Sequence, residues 1–535
     1  MSTENAAVNG LTRRDALKAG AGAAGTIALA GGLLGQGVEA AAAPAVIGDG
    51  PYGPLQAPDS NGVALPEGFT SRIVARTGIP LGPSLTPFHI FPDGMGTFET
   101  GDGGFILASN SEAPSVPGTV FDGGTAAIRF DKDFRITDYY RILSGTSLNC
   151  AGGVSPWGTW LSCEETDTGK VWECDPYGEK EAIARPAMGV FKHEACAVDP
   201  VGKQVYLTED LADGCFYRFT PDSYPDLTSG KLDVAVVAGD GQVGWLPVSD
   251  PQNLAGIPTR LQVVDATRFK RGEGCWYDEG VIYFATTQDD RVWAYHCAGN
   301  ELEVLYDGVA LGPDAPLHDT DNVTVSPISG DLFVAEDADD LQVCLISTEG
   351  EAAAFLQLPG DAHADSELTG PVFDPSGSRF YFSSQRGGGL PGIAPGGAVF
   401  EITGPFRKSR AEPPDPDEAK PKVRVRTLGR PTLRGLLRHG GSFKVNVKDE
   451  SLPVTLDVKL ITKMKRKSGK GSRDVTIGTL RTRATRAGDK KIRLKVGKRH
   501  KERLRRRDVA QARLVVKATD AEGNTSKTVK RVRFS

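Results

Sequence analysis

Residues 194–210 read EACAVDPVGKQVYLTED, and three later stretches follow the same plan. Each begins with a polar residue, continues through a short apolar segment and a turn, and ends in β-branched or aromatic residues followed by polar ones. The later stretches are EGCWYDEGVIYFATTQDD (273–290), NVTVSPISGDLFVAED (322–337) and ELTGPVFDPSGSRFYFSSQ (367–385). Alternation of this kind predicts strands, and Asp-Pro-x-Gly predicts a hairpin turn. Each stretch is therefore predicted to be a β-hairpin.

The irregular spacing of these hairpins, with loops inserted between them, favours a β-propeller over a compact sandwich. No segment of this part of the chain shows sustained helical periodicity, so the fold class is all-β. In a propeller the innermost strands begin near one axis, and we therefore expect Glu194, Glu273, Asn322 and Glu367 to converge. Carboxylates that converge repel one another unless cations lie among them.

Residues 149–165, NCAGGVSPWGTWLSCEE, combine two kinds of metal ligand. Cys150 offers a thiolate, which suits iron, zinc or copper, whereas Glu164 and Glu165 offer carboxylates, which suit calcium or magnesium. The stretch predicts a site that holds more than one kind of metal. The alternative is an ordinary hairpin with a buried, inert cysteine and solvent-facing acids.

Charge divides the chain near residue 420. Residues 421–535 contain 35 Lys and Arg against 9 Asp and Glu, whereas residues 1–420 contain 27 against 59. We therefore predict two domains, 43–410 and 423–535. The proline-rich, charged stretch at 411–422 is predicted to be the linker between them.

The basic domain is predicted to be a small immunoglobulin-like β-sandwich of six or seven strands, because apolar residues alternate with polar or basic ones. Its charge predicts retention on an anionic cell-surface polymer or, alternatively, docking on the acidic domain. No nucleic-acid motif and no interleaved aromatic residues occur, which argues against a specific nucleic-acid ligand.

The N-terminus predicts the destination of the protein. Residues 12–18, TRRDALK, resemble a twin-arginine export signal, and a weakly apolar run with a small-residue cleavage site follows. We expect residues 1–42 to be a signal peptide read by the twin-arginine translocation machinery, and the protein to be periplasmic, extracellular or on the cell surface. The alternative is a disordered basic leader. The eight cysteines permit disulfides outside the cytoplasm but do not require them.

Several blocks along the chain, in this order, resemble the PhoX alkaline phosphatases. They are NCAGGVSPWGTWLSCEE (149–165), GVFKHEACAVDP (189–200), YLTEDLADGCFYRF (206–219), FKRGEGCWYD (269–278) and DNVTVSPISGDLFVAED (321–337). The resemblance covers about residues 60–405. It implies a six-bladed β-propeller that hydrolyses phosphomonoesters outside the cytoplasm at a cluster of Ca2+ and Fe3+ on the propeller axis.

The resemblance also implies roles for individual residues. Cys150 would bind iron, Glu165, Glu194 and Glu273 would bridge iron and calcium, and Arg271 would hold the phosphate through two contacts of its planar guanidinium.

Two residues beside Glu194 are further candidates. Both could face either the substrate or the residues that surround the metal ligands. We expect Lys192 to act in catalysis with Arg271 and Glu273, whereas a structural hydrogen bond is at least as good an interpretation of His193.

Acidic residues that open or close the repeats are candidate calcium ligands, with Asp321 and Glu209 as the first choices. The others are Asp210, Asp319, Glu336 and Asp337. The alternative for all of them is a solvated surface loop.

Two classes of function stay open. One is a secreted, monomeric metallophosphatase that acts on phosphomonoesters. The other is a calcium-stabilised propeller that binds a ligand or anionic polymer without turnover, or a different hydrolase such as a lactonase. The thiol at Cys150 and the guanidinium at Arg271 favour the phosphatase, because a purely structural calcium site needs neither.

Overall fold

The structure is a computed structural model of the 535-residue chain. It describes residues 44–534 except 120, 338–339, 390–395, 411–421, 429–431, 449–453, 466–471, 485–487, 506–510 and 520–524. The chain forms two compact units, divided between residues 411 and 412. The predicted signal peptide, 1–42, and nearly all of the predicted linker, 411–422, lie outside the described residues.

The described part of the first unit forms six sheets of four or five strands. Two strands near the N-terminus, β1 (Val46–Ile47) and β2 (Thr70–Arg76), join sheets that are completed much later in the chain. The other strands are, in sheet I, β3–β6 (Pro92–Glu99, Phe105–Ser111, Gly123–Phe130, Ile136–Thr146); in sheet II, β7–β10 (Asn149–Val154, Trp160–Glu164, Val171–Cys174, Ile183–Ala184); in sheet III, β11–β15 (His193–Asp199, Gln204–Glu209, Phe216–Ser223, Asp226–Val237, Val243–Pro247); in sheet IV, β16–β19 (Gly272–Asp278, Val281–Thr286, Arg291–His296, Glu301–Asp307); in sheet V, β20–β23 (Thr320–Val325, Leu332–Glu336, Gln342–Ile346, Glu351–Gln357); and in sheet VI, β24–β26 (Leu368–Phe373, Arg379–Ser384, Ala398–Thr403).

The first strands of the six sheets, β3, β7, β11, β16, β20 and β24, pack side by side in a closed cycle. Successive strands within each of these sheets pair as antiparallel neighbours. This is the arrangement of a β-propeller, and the prediction of an all-β fold is confirmed. The helices described in this unit are short: α1 (Gly308–Leu311) and four 3-10 turns (Pro186–Met188, Thr259–Leu261, Thr287–Asp289, Asp361–His363).

Early and late segments of the unit are joined where the cycle closes. Strand β2 pairs antiparallel with β26 as the fourth strand of sheet VI, and β1 pairs parallel with β23 of sheet V. Arg72 of β2 donates two hydrogen bonds, both 2.8 Å, to the buried Glu401 of β26. Glu401 is buried whereas Arg72 is half exposed, so removing Arg72 would take a partner from a charged group in the core, which is destabilising. The closure is therefore held by a buried carboxylate as well as by the strand ladder.

Apolar side chains fill the spaces between neighbouring sheets. Between sheets V and VI, the rings of Phe333 and Phe380 lie 5.2 Å apart. Between sheets III and IV, Phe216 and Phe284 stack with ring centroids 4.4 Å apart. These residues are fully buried, and each contributes roughly 2–3 kcal/mol of burial free energy. The packed faces fix the sheets around the axis and so position the first residues of the inner strands.

The second unit is a β-sandwich whose two sheets share one apolar core. One sheet has the order β27-β28-β31 and the other β30-β29-β32-β33. The elements are β27 (Lys422–Thr427), α2 (Leu433–His439), β28 (Gly441–Lys448), β29 (Val454–Lys465), β30 (Ser472–Ala484), β31 (Gly488–Leu494), α3 (Lys498–Arg505), β32 (Gln511–Thr519) and β33 (Thr525–Arg533). Within the described ranges of both units, no helix is long and apolar enough to cross a membrane.

Candidate metal centre

Each inner strand carries a β-bulge near its start. The first paired residues are Asn149 with Glu164 in sheet II, His193 with Glu209 in sheet III and Gly272 with Thr286 in sheet IV, and the register shifts directly after each of these pairs. Sheets I and V do the same. A bulge leaves a residue out of the ladder and re-aims its side chain. In five sheets the residue after the first pair is a potential ligand: Asp93, Cys150, Glu194, Glu273 and Asp321.

A second position repeats from sheet to sheet. In the first pair of each sheet, the residue of the inner strand is paired with a residue at the end of the second strand. The second position is the residue that comes next along the chain, as Asp210 follows Glu209, the partner of His193. Acids occupy it in four sheets, a threonine in sheet IV and a glutamine in sheet VI. These residues are Glu112, Glu165, Asp210, Thr287, Asp337 and Gln385. The two positions together give a ring of oxygen and sulfur atoms at one end of the inner strands.

Among the described residues, three groups bring ligand atoms within 4.8 Å of one another. They are Asp93 with Glu112 and Cys150, then Cys150 with Glu165 and Glu194, then Glu194 with Asp210 and Glu273. All members are buried, and Cys150 and Glu194 each belong to two groups. The Cys150 Sγ atom lies 3.0 Å from Glu194 Oε1. The structure thus brings together the four principal residues predicted from the sequence: Cys150, Glu165, Glu194 and Glu273.

Asp321 of sheet V extends this array. Burial raises the pKa of its carboxyl well above the usual value, and the charges of Glu273, Asp93, Glu367 and Asp337 raise it further. Carboxylates from several sheets therefore face the same buried region, and in the absence of cations they cannot all be ionised. Such a set fits multivalent cations: its many oxygens suit calcium, and its one thiol suits a transition metal such as iron.

Two predicted cationic residues border the groups at equivalent places. Arg271 directly precedes β16 and Lys192 directly precedes β11. Arg271 donates to Asp210 at 2.7 and 3.2 Å and lies 2.9 Å from Glu273, while Lys192 lies 3.2 Å from Glu165. The side chain of Arg271 is 14% exposed and that of Lys192 is 26% exposed, whereas the carboxylates that they contact are nearly fully buried. They therefore stand between the ligand groups and solvent.

Arg271 also has a backbone φ of +60°, in the left-handed region. A non-glycine residue is held there only when its surroundings enforce the conformation, and such residues cluster at functional sites. The backbone amide of Arg271 donates to the Leu211 carbonyl, and its carbonyl accepts from Thr287. These bonds fix the backbone of Arg271, and the contacts with Asp210 and Glu273 hold its guanidinium.

Glu209, which was predicted to be a calcium ligand, does not belong to any of the three groups. The adjacent Asp210 belongs to the group formed with Glu194 and Glu273. Glu209 Oε2 accepts hydrogen bonds from the Cys215 amide (3.1 Å) and the Tyr217 hydroxyl (2.8 Å), and Oε1 lies 3.5 Å from Arg260. Burial raises the pKa of Glu209 to about 7. Its carboxylate therefore braces the loop that follows β12, and we correct the candidate ligand from Glu209 to Asp210.

The same bracing role recurs in two other sheets. Glu164 accepts from the Lys170 amide at 3.3 Å, and Glu336 accepts from the Gln342 amide at 3.1 Å. As with Glu209, the acceptor is the last paired residue of the second strand, and the donor lies six residues further along the chain. Glu336, another predicted calcium ligand, is therefore also occupied with the backbone of its loop.

His193 is a structural residue. Its Nε2 atom lies 3.0 Å from the Gly189 carbonyl, so this nitrogen carries the proton, and its ring stacks on Phe191 at 3.7 Å. Burial lowers the pKa of His193 to about 3, which keeps the ring neutral. The structural interpretation given from the sequence describes this residue.

Sequence reasoning missed the contribution of sheet I, and of sheet VI it predicted only Glu367, the residue before β24. Asp93 and Glu112 come from sheet I, and Gln385 of sheet VI donates hydrogen bonds to both, at 2.7 Å to Glu112. Arg386 adds a third cation, 2.8 Å from Glu367 and 3.9 Å from Glu112. The available signal was the short polar run that ends at Glu112, but its hairpin is longer than the repeats that set the pattern.

All eight cysteines have free thiols in the structure. Seven lie away from the ligand groups, and most of these belong to the apolar layers between sheets, such as Cys163 and Cys196 between sheets II and III. Cys150 alone among them has its sulfur in a group of potential metal ligands within the described residues.

These features define a class: a β-propeller with a buried thiol and several carboxylates at one end of its axis and basic residues at the border. The model of the family described as alkaline phosphatase PhoX matches residues 122–172 and 167–301 of this chain. The matched segments contain Cys150, Glu165, Glu194 and Glu273. The resemblance to the PhoX family is thereby confirmed over residues 122–301.

No curated protein matches the chain. Solved structures resemble it at low identity. A gluconolactonase from Xanthomonas campestris is 13% identical, with 66% of this chain and 99% of that chain covered and a TM-score of 0.39. A calcium-binding regucalcin from Agrobacterium tumefaciens is 15% identical, with 64% and 98% covered and a TM-score of 0.35. A protein of unknown function from Bacteroides thetaiotaomicron is 11% identical, with 63% and 76% covered and a TM-score of 0.42.

Proposed function

We propose that this protein is a metal-dependent phosphatase that hydrolyses phosphomonoesters at the end of the propeller axis. The observation that carries the proposal is the set of three overlapping ligand groups bordered by Arg271 and Lys192. A phosphomonoester is a dianion with a poor leaving group, so its hydrolysis needs strong positive charge around the phosphoryl oxygens. The match of residues 122–301 to a phosphatase family model points to the same chemistry.

The residues of the site have distinct parts in this proposal. Cys150 and the shared Glu194 would hold an iron ion, and the carboxylates of Glu165, Asp210 and Glu273 would hold calcium beside it. Bound calcium and iron would supply the Lewis-acid charge that a phosphoryl group needs. The buried carboxylates need that charge equally: burial raises the pKa of neighbouring Asp321, and the charges of Glu273, Asp93, Glu367 and Asp337 raise it further.

Arg271 and Lys192 would act on the substrate directly. The guanidinium of Arg271 is planar and can contact two phosphate oxygens at once, in the way it contacts both oxygens of Asp210. Lys192, which contacts Glu165 of the group formed with Cys150 and Glu194, would provide a point charge. Both residues would orient the ester and offset the charge that develops on its oxygens.

The export route is also a proposal. TRRDALK at residues 12–18 supports twin-arginine export, which carries folded proteins and would let the metals load before release. Replacing Arg13 and Arg14 with lysine should leave the full-length precursor inside the cell, which immunoblotting of cell fractions measures. Normal appearance of the processed protein outside the cytoplasm would contradict this assignment.

Metal analysis combined with three substrates tests the activity. We expect purified exported protein to contain both iron and calcium, to release nitrophenol from p-nitrophenyl phosphate, and to lose that activity after chelation. Bis-p-nitrophenyl phosphate should react far more slowly, because a diester cannot present the same dianionic group. Hydrolysis of gluconolactone without any release of phosphate would overturn the proposal in favour of a lactonase, and binding without turnover would favour a non-catalytic propeller.

Variants separate the site from the fold. Cys150→Ala and Glu273→Ala should each abolish hydrolysis while leaving the β-sheet circular dichroism signal, because most of the core lies between the sheets. Cys344→Ala is the matched control, since this thiol is equally buried but lies in the core of sheet V near the Pro316 carbonyl. Near-normal turnover in Cys150→Ala would mean that its thiol is structural.

A further inference from the structure

The four-stranded sheet of the second unit has one strongly basic face. Alternate residues of its strands, such as Leu456, Val458, Leu514 and Val516, are buried in the sandwich core, so the residues between them point outward. We call the outward-pointing cations the basic face. Its members are Lys459, Lys463, Arg481, Arg483, Arg513, Lys517, Lys527, Arg531 and Arg533. The described acidic residues among the outward-pointing positions are Asp457 and Asp474.

Like charges stand directly opposite each other on this face. Arg513 pairs with Arg531, and Lys517 pairs with Lys527, across strands β32 and β33. Like charges in directly opposed positions destabilise a sheet. Arg513 has an ion pair with Asp474, but no described acidic side chain lies within ion-pair distance of Lys517, Lys527 or Arg531. An anion lying over these strands would remove the repulsion.

The dimensions of the face suit an extended ligand. Neighbouring strands lie about 4.8 Å apart, and successive outward residues of one strand lie about 7 Å apart, so charges recur in rows over roughly 14 by 27 Å. The positions between the cations include Thr455, Thr519 and Thr525, which offer hydroxyl donors, and the aliphatic Ile461, Val515 and Val529. No aromatic side chain occurs among the described outward positions of β29, β30, β32 and β33. The face therefore offers charge and hydrogen bonds but no platform on which bases could stack.

We propose that the basic face binds a linear polymer with phosphodiester repeats and no bases, of the kind found in cell envelopes. Guanidinium groups contact phosphate oxygens in pairs, and ammonium groups bind them as point charges. Binding would release counterions from the polymer, as it does for other linear polyanions. This proposal concerns the second unit alone and is independent of the proposed phosphatase activity.

The outer face of the three-stranded sheet is the natural comparison. Its described cations are Lys422, Arg424, Arg426, Lys444, Lys491 and Arg493. Two of them have partners: Lys444 forms an ion pair with Asp489, and Arg493 donates to the His439 carbonyl at 2.7 Å. On the four-stranded sheet only Arg481 and Arg513 have acidic partners among the described residues. The basic face thus has more cations available to a ligand.

Two full-length variants with equal charge change test the assignment. K517Q/K527Q/R531Q removes three cations of the basic face that have no acidic partner among the described residues, and the control R424Q/R426Q/K491Q removes three cations from the other sheet. The probe is poly(glycerol phosphate) of defined length, with dissociation constants measured between 50 and 200 mM salt. We expect the first variant to bind at least tenfold more weakly at the lower salt, with a salt slope reduced by about 2, because each lost phosphate contact lowers the slope by about 0.7 to 0.9.

The control variant should stay within about threefold of the unsubstituted protein. Equal losses in the two variants would show that net charge alone binds the polymer, and unchanged binding in the first would exclude the face; either result overturns the proposal. A single-stranded oligonucleotide with the same number of phosphates should bind more weakly than the probe, and tighter binding would overturn the choice of a base-free polymer. At low salt the unfolding temperature of the first variant should be no lower than that of the unsubstituted protein, because opposed like charges have been removed. A clear decrease would contradict the claim that these cations repel one another.

Discussion

Replacing Asp210 and Glu209 separately distinguishes the axial position from the loop position beside it. Asp210→Asn keeps the size of the side chain but removes one negative charge from the group formed with Glu194 and Glu273. It also weakens the two-point contact with Arg271 at 2.7 and 3.2 Å. Even partners that only support a metal ligand are worth 10–100-fold in metal affinity. We therefore expect calcium to bind at least that much more weakly, a loss of about 1.4–2.7 kcal/mol.

Glu209→Gln should lower the free energy of unfolding and leave the calcium affinity nearly unchanged. The amide retains an acceptor for the Cys215 amide and the Tyr217 hydroxyl, but it cannot balance Arg260. An imperfectly matched buried group costs about 1–3 kcal/mol of unfolding free energy. Calcium affinity should nevertheless stay near that of the unsubstituted protein, since Glu209 does not contact the ligand groups.

The assay is paired for both variants. Calorimetric titration of calcium into chelator-stripped protein gives the affinity, and urea unfolding of the stripped protein gives the intrinsic stability. For Asp210→Asn we expect a large loss of affinity with little change in the stripped protein; for Glu209→Gln we expect the reverse. If Glu209→Gln lost calcium and Asp210→Asn kept it, the assignment of the two positions from the strand register would be refuted.

Further predictions concern protons, substrate and domain. Calcium added to metal-stripped protein near pH 7 should release protons, because burial and neighbouring carboxylates raise the pKa of Asp321 well above its usual value and calcium favours the ionised form. Calorimetric titration in buffers of different ionisation enthalpy measures the number of protons released. Calcium binding without proton release would contradict the prediction. The pKa of His193 is about 3 in the folded state against about 6.5 in the unfolded state, so the unfolded chain binds more protons between these pH values and stability falls as pH decreases through that window. His193→Gln keeps a donor for the Gly189 carbonyl and should flatten this part of the pH profile of stability, measured by urea unfolding. An unchanged slope would show that His193 does not cause the pH dependence. Arg271→Lys should lower kcat/KM for a phosphomonoester by about 10–100-fold, because an ammonium group cannot make the paired contact; steady-state kinetics that match the unsubstituted enzyme would remove Arg271 from the substrate site. Deleting residues 412–535 should leave turnover on p-nitrophenyl phosphate nearly unchanged, because each unit has its own core; a large loss would show that the second unit helps to form the site.

The sequence predicted the fold class and much of the site because both depend on the same repeated hairpin. Glu194 and Glu273 mark the starts of inner strands, and those starts lie at the axis of any propeller. Cys150 was singled out because it shares one short stretch with Glu164 and Glu165 and because the resemblance to the PhoX family implies that it binds iron. These signals are local, and they survive without knowledge of how the sheets pack.

Two parts of the site depend on details that a sequence pattern does not contain. Glu209 and Asp210 are adjacent acids, and a shift of one residue moves a side chain from one face of a strand to the other. Only the pairing of His193 with Glu209 shows which of the two leaves the ladder. Asp93 was missed for a different reason: its hairpin in sheet I lacks the spacing of the other repeats, so nothing near it resembles them.

The closure of the propeller by β2 and β26 has a consequence for the order of events during synthesis. Arg72 and Glu401 are 329 positions apart, so the last sheet cannot form until nearly the whole first unit has left the ribosome. The ligand groups draw on sheets I to IV, and Asp321 adds sheet V, so an unfinished chain offers only fragments of the metal site. We expect nascent chains to stay open and metal-free and then to close and load in a single late step. Pulse-labelled chains would accordingly change from protease-sensitive to protease-resistant at one length, reached once residue 403 has left the ribosome, rather than blade by blade.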